Sequence, residues 1–150
     1  MVIRCQAKDP GLRASEILGR FMRGEGEPPG QARPFADWPE VLKSTLALML
    51  GSDAQIIFFA GPEFLAFYND AYAPTIGVKH PQALGNPAAE NWSGLWQDLE
   101  GLLSHVRRTG ESISEKDRPF VIDRFGFPET VYFDIAFSAV RSCDGRVEAV

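Results

Sequence analysis

Apolar residues recur along the chain at helical spacing in three segments. Two of them place apolar side chains three and four residues apart, and each is ended by glycine, so they predict amphipathic helices at Ala14–Met22 and Ser93–Thr109. The third follows Asp37-Trp38-Pro39-Glu40, where Asp37 is a candidate N-cap and Glu40 stands three residues later. This segment is apolar over most of its circumference up to Leu50, which predicts a mostly buried helix.

Shorter apolar runs predict strands. The run Ala54–Phe59 is apolar except for Gln55, as expected of a buried strand, and the turn Gly61-Pro62 joins it in a hairpin to Glu63–Tyr68. A strong hairpin signal, Asp144-Gly145, stands near the end of the chain. The remaining predicted strands are Ser112–Ile122, with Pro119 at a bulge or an edge, Thr130–Val140, and Arg146–Val150.

The order of these elements indicates an α+β fold. Between the second and third strands, Asn69-Asp70 can cap a short helix at Ala71–Ile76, and the long helix follows. The prediction is a five-stranded antiparallel sheet with crossing helices and an N-terminal helical extension. Because Glu25–Ala36 is rich in proline and glycine, we divide the chain into a helix and linker at 1–36 and a domain at 37–150.

Composition narrows the class of protein. At 150 residues, 45% hydrophobic and 23% charged, the chain is expected to be globular. A net charge of −5 without a basic block argues against nucleic-acid binding. No apolar run reaches the roughly 18 residues of a membrane span, so a cytoplasmic location is expected. Cys5 and Cys143 are interpreted as free thiols, and the natural chain is expected to continue beyond Val150.

Five motifs resemble one family of signalling domains. The stretch from Gly61 to Gly85 reads GPE-x4-YNDAY and then IG-x-KHP-x-ALG. It is preceded by DWP-x2-L-x6-ML-x-S and followed by RFGFPETVYFDIAFSAVR and DGRV. From Asp37 to Val150 the chain therefore resembles the PAS domains at the front of bacterial sensor and hybrid histidine kinases.

The resemblance implies a sensory module without catalytic activity. Such a domain would bind a small ligand or form a homodimer, and pass the signal to a downstream domain in a two-component system. The helix Ala14–Met22 would pack on the outer face of the sheet or on its copy in a dimer.

No familiar PAS cofactor is indicated. The chain lacks the Asn-Cys-Arg-Phe-Leu-Gln segment of flavin-binding members. Haem-binding members carry their iron ligand in the long helix, where His105 is expected to face water and Leu99 matches the ligand position better. Leucine cannot ligate iron, so the cofactor stays unknown and a small organic ligand is the expectation.

Aromatic residues are the candidates for a ligand pocket between the sheet and the crossing helices. Aromatic cavities with few polar groups suit small molecules, although the same rings could simply fill the core. The residues predicted nearest to the pocket are Phe58, Tyr68, Tyr72, Trp92, Trp96 and Phe133.

The polar candidates are interpreted mainly as structural. His80 precedes a proline and has no second His, Cys or carboxylate cluster nearby, so a structural contact is expected and no metal site. Asn69 and Asp70 are expected to be structural as well. Asp134 interrupts an aromatic strand, and the alternation of the strand favours an outward side chain.

Two other functions remain open. One is a protein docking module with a fully packed interior. The other is a small curved-sheet α+β enzyme or ligand carrier that uses an inward Asp134 as a buried base, although short catalytic motifs are absent. A first strand that lies inside the sheet would favour the PAS interpretation.

Overall fold

The computed structural model describes residues 11–150, which contain α-helices and antiparallel strands; Cys5 lies outside this range. The helices are α1 (Ala14–Met22), α2 (Glu40–Leu50), α3 (Ala73–Ile76), α4 (Ala88–Asn91) and α5 (Trp96–Thr109), with 3₁₀ turns at Phe35–Asp37 and Gly77–Lys79. The strands are β1 (Ile57–Ala60), β2 (Leu65–Tyr68), β3 (Ile113–Asp123), β4 (Pro128–Phe137), β5 (Val140–Arg141) and β6 (Val147–Ala149).

The strands form two antiparallel sheets. The first has the order β2-β1-β6-β5, so β1 lies inside it, and the second pairs β3 with β4. The α+β prediction is confirmed, but six strands in two sheets replace the predicted five-stranded sheet. The reason is a break at Ser138-Ala139: the predicted strand Thr130–Val140 pairs with β3 before the break and with β6 after it.

The start of α2 differs from the prediction. Asp37 ends a 3₁₀ turn and does not cap the helix, which begins at Glu40 after Pro39. Trp38 is extended, with φ −74° and ψ 144°. A residue before proline is disfavoured in the helical region, so the helix cannot begin ahead of Pro39.

The N-terminal helix α1 packs on its own chain. Ala14 and Leu18 are fully buried, and Phe21 is buried against Phe35 and Trp38. The Ser15 amide at the start of α1 donates a hydrogen bond of 3.1 Å to the Asp70 carboxylate, just after β2. We expected this helix to pack either on the outer face of the sheet or on its copy in a dimer. The described contacts are with residues of the same chain.

The sheet of β1 and β2 separates two apolar layers. Phe58 and Phe67 are cross-strand neighbours on the face that packs under Trp38. Because side chains alternate along a strand, Phe59 points to the opposite face, where it meets Trp92. The buried stripe of α5, formed by Leu99, Leu103 and Val106, belongs to the same hydrophobic core.

None of the helices in residues 11–150 combines the length and the hydropathy that crossing a membrane requires.

Candidate functional site

A cavity of about 600 Å³ lies between the sheets and the helices that cross them. Its walls come from β1, the α3 region, the start of α5 and the inward faces of β3 and β4. Val78 lines the cavity and is 71% exposed, so the cavity opens to solvent on that side. Most of the wall is apolar and includes Phe59, Trp92, Leu95, Leu99, Phe133 and Ile135.

A few polar side chains interrupt this apolar wall. Tyr72 and Trp92 stand together, and the Trp92 indole N–H is placed to hydrogen-bond the Tyr72 hydroxyl. Burial raises the pKa of Tyr72 to about 12, and this hydrogen bond offsets part of the rise. The phenol is therefore neutral at physiological pH and can donate a hydrogen bond to a ligand. The other polar lining residues are Gln55, Thr75, Lys79, Ser93, Asp123 and Asp134.

The six aromatic residues predicted for the pocket fall in different places. Tyr72, Trp92 and Phe133 line the cavity. Their contact with a ligand stays a prediction, as it does for the other three residues. Those three are outside the lining: Phe58 stacks on Phe67 across the sheet, Tyr68 contacts His80, and Trp96 packs on Phe64.

His80 joins the core to the N-terminal segment. The Tyr68 hydroxyl lies 2.9 Å from Nδ1 of His80, and the Leu12 carbonyl oxygen lies 2.8 Å from Nε2. A carbonyl can only accept, so Nε2 carries the proton and donates to Leu12, while Nδ1 accepts from the tyrosine. This is a structural contact, in agreement with the sequence interpretation of His80.

Burial of the Tyr72 hydroxyl predicts a loss of stability at alkaline pH. Because the pKa of Tyr72 is raised from 10 to about 12, its contribution is complete below about pH 10 and is lost as the pH rises towards 12. We expect the free energy of unfolding to fall by about 1 kcal/mol more in the wild type than in Tyr72→Phe between pH 8 and 11. Urea titrations at both pH values measure this difference. The exposed Tyr132→Phe is the control and should behave as wild type; equal falls in all three proteins would contradict the assignment.

The β3–β4 hairpin closes against the 3₁₀ turn beside the cavity. The Val78 amide donates a hydrogen bond of 3.2 Å to the Arg124 carbonyl. Gly77 has φ +56°, and a Cβ at this position would lie 2.4 Å from the same oxygen. Glycine is therefore required here both by backbone conformation and by the close approach of the hairpin.

Several lining residues were missed by the sequence analysis. Ile135 and Phe137 share the inward face with Phe133, so the strand alternation already carried the signal for them. Lys79 carried no such signal, because a lysine in a polar loop is usually solvated.

Of the remaining candidates, Asp134 belongs to the cavity wall, whereas His105 and Cys143 lie outside it. Asp134 is exposed, and its Oδ1 accepts a hydrogen bond of 2.9 Å from the Asp117 amide, so its carboxylate points outward as predicted. The His105 side chain is 41% exposed and lies 3.6 Å from Glu111. Cys143 is an exposed free thiol. Among residues 11–150, no group of three or more His, Cys, Asp and Glu side chains is arranged to hold a metal ion.

Comparison with known proteins adds no family: no protein-family model and no curated protein matches this chain.

Proposed function

We propose that this chain is a PAS-type sensory domain that binds a small organic ligand and has no catalytic activity of its own. It would serve as the cytoplasmic input module of a bacterial sensor histidine kinase or a related signalling protein. Ligand binding would shift a conformational or dimer equilibrium of the domain, and a downstream domain of the same chain would respond to that shift.

The strand arrangement supports the PAS part of the proposal. The first strand, β1, lies inside its sheet between β2 and β6. Only Ser138-Ala139 separates β4 from β5, and counting these two strands as one gives the continuous order β2-β1-β6-β4-β3. An antiparallel arrangement with the first strand inside the sheet is what the resemblance implies, and this supports the PAS interpretation.

The cavity is the observation that carries the ligand-binding part. A space of about 600 Å³ with an aromatic wall and a few polar groups has the size and character of a small-molecule site. A docking module is expected to have a fully packed interior, so the cavity argues against that alternative. The enzyme alternative depended on a buried Asp134, and that carboxylate is exposed.

Native mass spectrometry with a cavity-filling variant tests ligand binding. Leu99 is 5% exposed and lines the cavity, so Leu99→Trp should occupy the ligand's space. Leu48 is 74% exposed, which makes Leu48→Trp the matched control. We expect wild type and Leu48→Trp to retain an extra mass, or to gain thermal stability from members of a small-compound library. Leu99→Trp should do neither while keeping the wild-type far-ultraviolet circular dichroism.

The same measurement can contradict the proposal. If wild type is free of extra mass and no library compound raises its melting temperature, the cavity is not a ligand site. Compounds that stabilise Leu99→Trp as strongly as wild type would place binding elsewhere on the protein.

A docking function is favoured by one observation. The β3–β4 hairpin exposes large apolar side chains that a partner would cover: Val121, Phe125, Phe127 and Tyr132. A second copy of the chain is one such partner, and the native mass spectrum distinguishes a dimer from a monomer directly.

A further inference from the structure

Lys79 places an unpaired positive charge at the edge of the apolar cavity. It belongs to the cavity wall and is partly buried. Among the described residues 11–150, no ion pair or hydrogen bond involves its ammonium group. A cation at the edge of an apolar wall, with no counter-charge of its own, favours an anionic partner.

The carboxylates of the wall do not provide that partner. Asp123 and Asp134 are both exposed, and each accepts a hydrogen bond from a backbone amide. Asp123 bonds the Gly126 amide at 2.8 Å, and Asp134 bonds that of Asp117. The charge of Lys79 is therefore open to a group that enters from solvent.

The backbone of Lys79 is held in place on both sides. Before it, Val78 bonds the Arg124 carbonyl of the hairpin. After it, both ring nitrogens of His80 are engaged, one by Tyr68 and one by Leu12. The Lys79 carbonyl accepts a hydrogen bond of 3.0 Å from the Ala83 amide. The lysine therefore stays at the cavity edge, and only its side chain has to adjust when an anion binds.

The apolar part of the wall points to an aromatic ligand body. Phe59 and Trp92 meet edge to face at 5.9 Å, and Phe133 and Phe120 lie 6.0 Å apart across the cavity-lining strands. Ring edges and faces that remain open towards the cavity can contact a further aromatic ring in the same geometries. A volume of about 600 Å³ accommodates a mono- or bicyclic compound.

We infer that the ligand is an aromatic carboxylate, with its rings among Phe59, Trp92 and Phe133 and its carboxylate at Lys79. This inference rests on the proposed ligand-binding function and specifies the ligand's chemical class. The Tyr72 hydroxyl adds a hydrogen-bond donor within the cavity, which favours an anion over a cation.

A pair of probes that differ only in charge tests the inference. Naphthalene-2-carboxylate and its neutral analogue naphthalene-2-carboxamide are titrated into the protein by calorimetry. For wild type we expect the carboxylate to bind about tenfold more tightly than the amide, the effect of one partly exposed charge-assisted hydrogen bond. Lys79→Met should remove this preference and leave the affinity for the amide unchanged. Lys116 is exposed and outside the cavity wall, so Lys116→Met should retain the preference.

The possible failures of the two proposals are distinct. Equal affinities of the probes for wild type, both abolished by Leu99→Trp, would overturn the carboxylate inference and leave the ligand cavity intact. A preference for the carboxylate that survives Lys79→Met would overturn the role of the lysine. If neither probe binds, the aromatic carboxylate is overturned, and the compound library decides separately whether the cavity binds any ligand.

Discussion

Replacing Asn69 with aspartate is expected to lower the free energy of unfolding by about 4 kcal/mol at neutral pH. Asn69 is 1% exposed, and its side chain joins three segments of the chain. Nδ2 faces the carbonyl oxygens of Met49, Ser52 and Ala54 at 3.1, 3.2 and 2.7 Å. Oδ1 accepts from the amides of Ile56 and Tyr72 at 3.2 and 3.1 Å.

The physical cause is the loss of a donor that nothing else can replace. An ionised aspartate would place a negative oxygen against three carbonyl oxygens, in a site that water does not reach. Burial and these carbonyls favour the protonated acid, which can donate one hydrogen bond. The folded protein would thus raise the pKa of the new carboxyl, so the loss should be smaller at pH 5 than at pH 8.

Urea unfolding of three variants at both pH values checks this prediction. Asn69→Asp should lose more stability at pH 8 than at pH 5, whereas Asn69→Ala should lose a similar amount at both. Asn91→Asp introduces the same charge at a less buried position and should cost less than about 1 kcal/mol. A pH-independent loss for Asn69→Asp would show that the carbonyl cluster is not the cause.

Asn69 also shows which contacts a local sequence pattern can predict and which it cannot. The sequence assigned it a capping role, and its bond to the Tyr72 amide at the start of α3 agrees with that. Its partners at Met49 to Ala54 lie 15 to 20 residues away, and local sequence carries no signal for them. The same limit applies to Asp70, which caps α1 across 55 residues through the Ser15 amide.

Elements governed by short-range physics were predicted well. The bounds of α1 are those read from apolar spacing. Helix α5 ends at Thr109 as predicted, before Gly110, whose φ of +72° is a left-handed cap, but it begins at Trp96 and not at Ser93. The turn at Asp144-Gly145 joins β5 to β6, as predicted. The pairing of strands was harder, because the break at Ser138-Ala139 depends on where β3 and β6 offer partners.

The candidate site was partly predictable for a related reason. Composition and alternation predicted Tyr72, Trp92 and Phe133 near a pocket, and all three line the cavity. Phe58 differs because it sits one position out of phase with Phe59, and a one-residue step moves a side chain to the other face of the sheet. The phase of β1 could be assigned only once its pairing with β2 was known.

Replacing Trp38 with alanine is expected to lower the free energy of unfolding by about 3–4 kcal/mol and to loosen α1. The indole is 8% exposed and joins the N-terminal helix to the sheet. Its ring lies 5.2 Å from Phe21 of α1 and 4.9 Å from Phe67 of β2. Its Nε1 donates a hydrogen bond of 3.1 Å to the Arg33 carbonyl, which holds the linker to the same cluster.

The loss of this side chain should therefore destabilise α1 more than the rest of the protein. Leu18 and Phe21 remain buried only while the aromatic cluster beneath them is filled, so the amides of α1 should exchange faster with solvent in Trp38→Ala. Trp38→Phe retains an aromatic ring without the hydrogen bond and should recover more than half of the stability. Trp96→Ala is the matched control: Trp96 is less buried, and its ring packs on Phe64 at 5.9 Å and not on the cluster of Phe21, Phe35 and Trp38.

Hydrogen exchange and urea unfolding of these three variants separate local from global effects. We expect exchange in α1 to increase in Trp38→Ala beyond what the global loss of stability accounts for, and to follow the global stability in Trp96→Ala. If α1 exchanges no faster than the rest of the protein in Trp38→Ala, the helix is held by contacts other than this cluster. Its buried stripe of Ala14 and Leu18 would then be sufficient to dock it.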